Sequence, residues 1–306
     1  MATFESWKQY NEFSSFVRRI SRHILDVRNQ KFLDATVETS TKRKGAIKKG
    51  AVLWRAQLGH SWDTEIIRGE DGQEVDSFEV EGPFPPERMT PLPDRAFEGR
   101  VNPKGIPCLY FSTDMETAMT ETRPWIGSYV SAAQFVMLKD LSVVDCSGDS
   151  AKADWRFERK ESADGEWVFK DPNPDEWEDI VWGDINRAFS QPVTRNDDVA
   201  EYAPTQVLAE AFRSAGLDGI VYGSRLGTGK TVAVFDLNAA EPANCHLYRV
   251  DAVNLKFEMA ANPYYMKKYC GTPQSSPSQE PVGSKEVKSV DGTNAPKANA
   301  ISPSDC

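Results

Sequence analysis

Gly219-Ile220-Val221-Tyr222-Gly223-Ser224-Arg225-Leu226-Gly227-Thr228-Gly229-Lys230-Thr231-Val232-Ala233-Val234-Phe235 admits two readings, and the choice bears on fold and activity together. Its centre, from Gly223 to Thr231, resembles a phosphate-binding P-loop. A P-loop opens a helix whose amides and dipole hold phosphate. Here five residues rather than four separate Gly223 from Gly229, and the residues after Lys230 alternate toward strand. We therefore read two strands, 220–222 and 231–235, joined by a glycine-rich hairpin-type loop. Such a loop still has the means to present Ser224 to a ligand.

Upstream, Thr205-Gln206-Val207-Leu208-Ala209-Glu210-Ala211-Phe212-Arg213 predicts a helix ending near Gly216, a C-cap residue. Short apolar runs predict further strands at 51–56, 108–111, 130–138 and 142–144. Ser112-Thr113-Asp114 caps a helix expected from Met115 through Glu121, with Pro124 stopping it. Near the start, Phe13, Val17, Ile20, Ile24 and Val27 recur at steps of four, three, four and three, predicting one amphipathic helix over 4–33. We read it as packed on its own domain rather than on a membrane or a partner. Residues 39–49 are basic and polar and read as a connection or mobile loop. Residues 81–93 are proline-rich and read as a surface loop or an extended segment. Residues 145–180 are acidic and carry Trp155, Trp167, Trp177 and Trp182, predicting an insertion of loops and short helices. From about 270 onward almost nothing is apolar, and a disordered tail is expected. Strands and helices interleave without a βαβ rhythm, so the fold class read from the pattern is α+β.

Composition sets outer limits. The chain has 306 residues, 40% hydrophobic and 27% charged, and a net charge of −10 from 46 acidic and 36 basic residues. An acidic surface repels phosphate backbones, so direct nucleic-acid binding is not expected. Five scattered cysteines without CxxC spacing predict reduced thiols in a cytoplasmic protein. The first residues lack the basic and apolar regions of a secretory signal, and no apolar run is long enough to span a bilayer.

No metal motif is present: His23, His60 and His246 stand far apart without ligand-spaced partners. No GxSxG elbow supports a serine triad. What remains is a sparse polar set. Arg55 lies in an apolar strand, where an arginine is costly unless paired or facing a site; the plainer reading is a structural ion pair. Arg100 sits in a turn and reads by default as a solvated charge. Tyr110 reads as a core residue with its hydroxyl at the surface. Glu121 ends a helix and reads as exposed.

The order of these pieces changes their weight. Leu53-Trp54-Arg55-Ala56, then Gly99-Arg100-Val101-Asn102-Pro103-Lys104-Gly105, then Leu109-Tyr110-Phe111-Ser112 with Glu116 and Glu121, then Gly219-Ile220-Val221-Tyr222-Gly223-Ser224, resembles the RES domain family over roughly residues 48–250. That family is named for an arginine, a glutamate and a serine. The resemblance implies an ADP-ribosyltransferase-like core with a split β-sheet and a cleft for NAD, within a catalytic domain at 48–265. An N-terminal helical extension at 1–47, the acidic insertion at about 145–200 and a tail at 266–306 flank or interrupt it. It implies an NAD-degrading toxin, acting by glycohydrolysis or phosphorolysis with inorganic phosphate as a candidate acceptor. Bacterial members commonly pair with a helix-turn-helix antitoxin.

Carried over, Arg55, Glu121 and Ser224 are the expected catalytic residues. Arg55, Arg100, Tyr110 and Ser224 are the expected NAD-binding residues. Arginine forks suit pyrophosphate, an aromatic face suits the cationic nicotinamide ring, and a carboxylate suits the cation that builds on the ribose. Trp54 and Val101 depart from the tyrosine and tryptophan common in the family. Protein ADP-ribosylation and a catalytically silent binding module on the same fold are the competing expectations.

Overall fold

Alternation of apolar side chains builds a sheet with a core on each face. In the computed structural model, which describes residues 3–92, 96–148, 160–161, 167–168, 171–191 and 199–255, Ile220 and Tyr222 face one core while Val221 faces the other. On the neighbouring strand, Ala233 joins the first core and Val232 and Val234 the second. The two halves of the opening stretch are thus adjacent antiparallel strands around a hairpin loop, and no helix follows the glycines.

The elements run α1 (Gln9–Arg19), α2 (Val27–Ser40), β1 (Lys44–Ile47), β2 (Val52–Leu58), β3 (Ser61–Arg68), β4 (Glu74–Gly82), α3 (Pro86–Met89), β5 (Leu109–Ser112) and α4 (Met115–Glu121). They continue with β6 (Tyr129–Met137), β7 (Leu141–Asp145), β8 (Lys160–Glu161), β9 (Trp167–Val168), α5 (Trp177–Ser190), α6 (Ala203–Ser214), β10 (Gly219–Gly223), β11 (Lys230–Val234) and β12 (Ala240–Arg249). The class is α+β. The principal sheet has the order β1-β7-β10-β11-β5-β2-β6-β12. Its neighbours are antiparallel except β7 and β10. β3 and β4 pair only with each other, as do β8 and β9.

The expected split is visible in the register. β2 follows β6 along its whole length, from Val52↔Val136 to Leu58↔Val130, but meets β5 through one pair, Trp54↔Ser112. The sheet is therefore two halves joined at a single seam, and they part on either side of it.

Four readings need correction. The single helix over 4–33 is two helices. α1 ends at Arg19, and Asp26 caps α2 by accepting from the Asn29 amide at 2.8 Å. A straight helix would carry Phe32 about 28 Å beyond Phe13, at about 1.5 Å per residue. The break instead folds Phe32 back to stack 4.7 Å from Phe13. Phe13 and Val17 are buried as expected, whereas Ile20, Ile24 and Val27, which continue the stripe in sequence, are exposed around the corner. Both helices share a core with Trp182, Phe189 and Phe212.

The connection read at 39–49 contains β1, an edge strand on β7. Lysines at 44, 48 and 49 suit such an edge, because charge discourages further pairing. Residues 81–93, read as a surface loop or an extended segment, hold the end of β4 and also a short helix, α3. The acidic stretch contains α5, whose Trp182, Ile185 and Phe189 are fully buried; its acidic residues at 176, 178 and 179 crowd the first turn, where the helix dipole favours them. Two strand pairings went unread, the β3–β4 ribbon and β12, which carries Pro242 at an irregularity on the sheet edge. The tail expected at 266–306 lies outside the described residues.

Candidate functional site

Where the sheet halves part, a cavity of about 320 Å³ opens, within the range of small-molecule sites. Its floor is one row across four strands. Tyr222 of β10 pairs with Thr231 of β11, Thr231 with Ser112 of β5, and Ser112 with Trp54 of β2. Directly paired residues share a face, and all four line the cavity. Arg55, Arg100, Tyr110 and Glu121 line it as well, so four of the five residues singled out in the sequence meet there.

Glu121 is placed by α4. Asp114 caps that helix, accepting from the Thr117 amide at 2.8 Å, and the helix is short enough to end on Glu121 at the cavity wall. The glycine-rich loop then packs onto α4. The Gly229 amide donates to Thr117 Oγ1 at 3.0 Å and the Lys230 amide to Thr113 Oγ1 at 3.0 Å. A Cβ on Gly229 would overlap the Asp114 carboxylate, and one on Gly227 the Thr117 side chain. The glycines therefore serve close backbone approach rather than a phosphate cradle.

That approach delivers Ser224. Its Oγ donates to Glu121 Oε1 at 2.7 Å and accepts from the Leu226 and Gly227 amides, each at 3.1 Å. Ser224 thus touches the carboxylate. Arg100 holds the other oxygen, with Nη1 3.5 Å from Glu121 Oε2. The Arg100 side chain is 9% exposed, and its guanidinium lies 6.0 Å from the Tyr222 ring centre. Burial works against its charge, but Tyr222 and Glu121 outweigh that and hold its pKa above the ordinary guanidinium value. The default of a solvated surface arginine is corrected: the turn dips inward.

The turn is pinned from three directions. Thr205 Oγ1 donates to the Arg100 carbonyl at 2.6 Å, and Gln206 Nε2 to the Gly99 carbonyl at 2.9 Å. The Tyr110 hydroxyl accepts from the Val101 amide at 3.0 Å and donates to Asn102 Oδ1 at 2.6 Å. Asn102 Nδ2 in turn reaches the carbonyls of Phe97 and Ile106 at 2.9 and 2.8 Å. Tyr110 therefore offers the cavity its ring while its hydroxyl anchors the turn. Burial raises its pKa well above the usual phenol range.

Arg55 is half-buried and forms no ion pair among the described residues, so the structural ion pair does not form. Backbone carbonyls hold it instead: Nε donates to Met89 at 2.7 Å and Nη1 to Tyr110 at 3.1 Å. Burial pulls its pKa down to about 10, which leaves it charged at neutral pH. Cys108, close by, has its thiol pushed up to about 12 by burial, which makes it a packing residue and not a nucleophile.

Sequence reasoning passed over Ser112, Thr231, Tyr202, Tyr222 and Arg123, which also line the cavity. Tyr222 and Thr231 sit inside the stretch already quoted; only the register shows that they face the same side as Ser112. Arg123 adopts a left-handed φ of 51° directly before Pro124, a costly backbone for a residue with a side chain. No group of three metal-ligating side chains occurs among the described residues, and no helix there is long and apolar enough to cross a membrane.

A family model described as the RES domain matches residues 78–258. Arg100, Tyr110, Glu121 and Ser224 fall inside that match, and Arg55 precedes it. No curated protein matches the chain. Among solved structures, a chain of the M. tuberculosis MbcT–MbcA toxin–antitoxin complex is similar at 13% identity, with a TM-score of 0.35, over 70% of this chain and 92% of that chain.

Proposed function

The chain belongs to the RES domain family, and from that premise we propose that it consumes NAD by cleaving the nicotinamide–ribose bond. The observation that carries the reading is the Glu121 carboxylate, gripped by Ser224 on one oxygen and faced by Arg100 on the other, at the wall of a cavity lined with aromatic rings. Cleavage leaves positive charge on the ribose, and a preorganised carboxylate stabilises it without reorganising at the moment of reaction. Nicotinamide takes the bonding electron pair and departs neutral, so no general acid is needed. The acceptor oxygen then bonds to the ribose carbon; when water is the acceptor, one proton is released.

The other residues divide into contacting and positioning roles. Arg55 offers Nη2 to the pyrophosphate. Arg100 orients Glu121 and presents its remaining donors to the same anion. Ser224 is a positioning residue acting through Glu121. Tyr110 keeps the arginine turn in place and adds a ring to the cavity. We further propose that the protein acts as a cytoplasmic toxin and that an antitoxin covering the cleft restrains it, as the family resemblance implies.

The test is nicotinamide release from NAD by the purified full chain, with and without inorganic phosphate, beside Glu121→Gln. Phosphate-dependent release identifies a phosphorylase, and independent release a glycohydrolase. Labelled ADP-ribose appearing on a macromolecule identifies protein modification. Undiminished turnover by Glu121→Gln would sink the mechanism, and absence of every product would leave a binding module.

A further inference from the structure

The apolar stripe of the N-terminal helices is only half used by the fold. Phe13 and Val17 are buried, but Ile20, Ile24 and Val27 are 74, 79 and 76% exposed. All three lie in or beside the connection from α1 to α2, and that connection is held in shape. The Ile20 and Ser21 amides donate to the Phe16 carbonyl at 2.8 and 3.2 Å, and the Ile24 amide donates to Ser21 Oγ at 3.3 Å. Asp26 caps the helix that follows. Three large apolar side chains on a fixed corner make a protrusion of the kind that marks a contact surface. Arg19, Arg22 and His23 are exposed on the same corner, and the two arginines form no ion pair among the described residues.

Beside the protrusion runs a groove of about 690 Å³ between α2 and α6. From α2 it takes Leu33, Asp34, Val37 and Glu38, and from α6 Val207, Glu210 and Ala211. Both sets follow a three-four spacing, so each is a single helix face. Leu33, Val37, Val207 and Ala211 form a half-buried apolar floor, and Asp34, Glu38 and Glu210 an exposed acidic rim. Arg22, His23 and Leu25 of the corner line the groove too, so protrusion and groove are neighbours on one surface. The groove shares no lining residue with the cavity that holds Glu121. The protrusion and α2 also precede the residues matched by the RES domain.

We propose that this surface joins two copies of the chain about a two-fold axis, the Ile20–Ile24–Val27 protrusion of each copy seated in the α2–α6 groove of the other. The two parts complement each other: an apolar, basic corner meets an apolar floor with an acidic rim. Arg19 and Arg22 of one copy are brought to the acidic rim of its partner. A protrusion lying beside its own complement is what a two-fold interface needs, because one rotation makes both contacts at once and every contact counts twice. The net charge of −10 opposes association of copies over most of the surface, and this face supplies a local match of opposite sign. Other occupants fit half of it. An anionic membrane suits the basic corner but is repelled by the rim. A lone amphipathic helix fills the groove but leaves the protrusion in water. A second copy covers both, whatever reaction the cleft performs.

Sedimentation of the purified full chain over a concentration series should show a reversible monomer–dimer equilibrium. Ile24→Asp places a charge at an exposed point, so it should melt as the wild type does and raise the dimer dissociation constant at least about tenfold. Ala211→Lys obstructs the groove and should do the same. Each variant spoils both contacts of a symmetric dimer. In an equal mixture the mixed dimer keeps one contact intact, and the other sets the introduced carboxylate against the introduced ammonium. The mixture should therefore dimerise at least about tenfold more tightly than either variant alone. Ile20→Asp replaces Ile24→Asp if the latter melts lower than wild type. A wild-type chain that stays monomeric at its highest soluble concentration overturns the proposal, as does a dimer indifferent to all three substitutions. A dimer lost in each variant but not recovered in the mixture overturns the reciprocal seating. Wild-type monomers that bind phosphatidylglycerol vesicles through Ile24 give the protrusion to a membrane and also overturn it.

Discussion

Ser224 donates a 2.7 Å hydrogen bond to Glu121 across 103 residues of sequence, and the amides of the glycine-rich loop hold the serine oxygen in place for it. The loop amides of Leu226 and Gly227 fix the serine oxygen, and the packing of Gly229 on α4 fixes the loop. The carboxylate and its anchor thus belong to one rigid unit built from α4 and the β10–β11 hairpin.

If that unit is the catalytic device, its two members act together. Glu121→Gln should reduce NAD turnover by about two to three orders of magnitude while changing NAD affinity only a few-fold. Ser224→Ala should lower kcat by roughly tenfold with little effect on KM. The double variant should be no slower than Glu121→Gln alone, because a serine that works through the carboxylate has nothing left to position. Additive losses in single-turnover assays would show that Ser224 acts independently.

Gly229→Ala tests the close approach directly. The added methyl would overlap the Asp114 carboxylate and crowd Thr113 and Thr117, all at the start of α4. We expect a loss of about 1–3 kcal/mol in thermal or denaturant unfolding, with turnover falling because Ser224 is displaced. Gly72→Ala is the control. It lies in the β3–β4 turn with nothing within 4 Å of a built Cβ, so only its φ of +77° is strained and activity should be retained. Equal activity losses in the two would remove the special role of the α4 contact.

Asn102 is the hidden support of Arg100. It is 4% exposed and ties the turn to Phe97, Ile106 and Tyr110. Asn102→Ala takes the Nδ2 donor from those two carbonyls and the acceptor from the Tyr110 hydroxyl proton, which keeps only the Val101 amide as a partner, and should destabilise the fold by roughly 2 kcal/mol or more. Tyr110→Phe breaks one part of the same network and should cost about 1 kcal/mol. NAD affinity should weaken in both, since Arg100 rides on this turn. Calorimetry showing unaltered NAD binding in a folded Asn102→Ala protein would detach the turn from the site.

Asp145 supplies a pH signature. Burial raises its pKa, but the Ser147 hydrogen bonds and Lys230 Nζ at 3.0 Å outweigh that and hold it below its ordinary value of 3.8. The unfolded state therefore binds more protons as pH falls, and the carboxylate's contribution is present above pH 3.8 and is lost progressively below it. Asp145→Asn should be less stable than wild type at neutral pH. The gap should be under about 1 kcal/mol because the pair is partly solvated, and it should close in acid. A gap that persists unchanged at pH 2 would assign the difference to packing instead.

Much of this protein was determined by sequence alone, wherever the signal is local. Alternation over 230–234 distinguished a hairpin from a P-loop, because backbone periodicity needs no distant partner. Asp114 before Met115 marked the start of α4, and Pro124 its limit, because caps and breakers act within one turn. The four motif pieces marked Arg55, Arg100, Tyr110, Glu121 and Ser224 through the order of residue types. The tertiary structure decided what depends on contacts between segments far apart in the chain. The amphipathic stripe at 13–27 could not reveal its break, since burying Phe32 against Phe13 requires the chain to fold back. Acidic residues at 176–179 hid a core helix, because its buried face is Trp182, Ile185 and Phe189 on the far side. Arg100 became a buried partner of Glu121 only once Thr205, Gln206 and Tyr110 pinned its turn. The floor row of Tyr222, Thr231, Ser112 and Trp54 is a matter of strand register, set by pairing across four strands, and no single segment contains it.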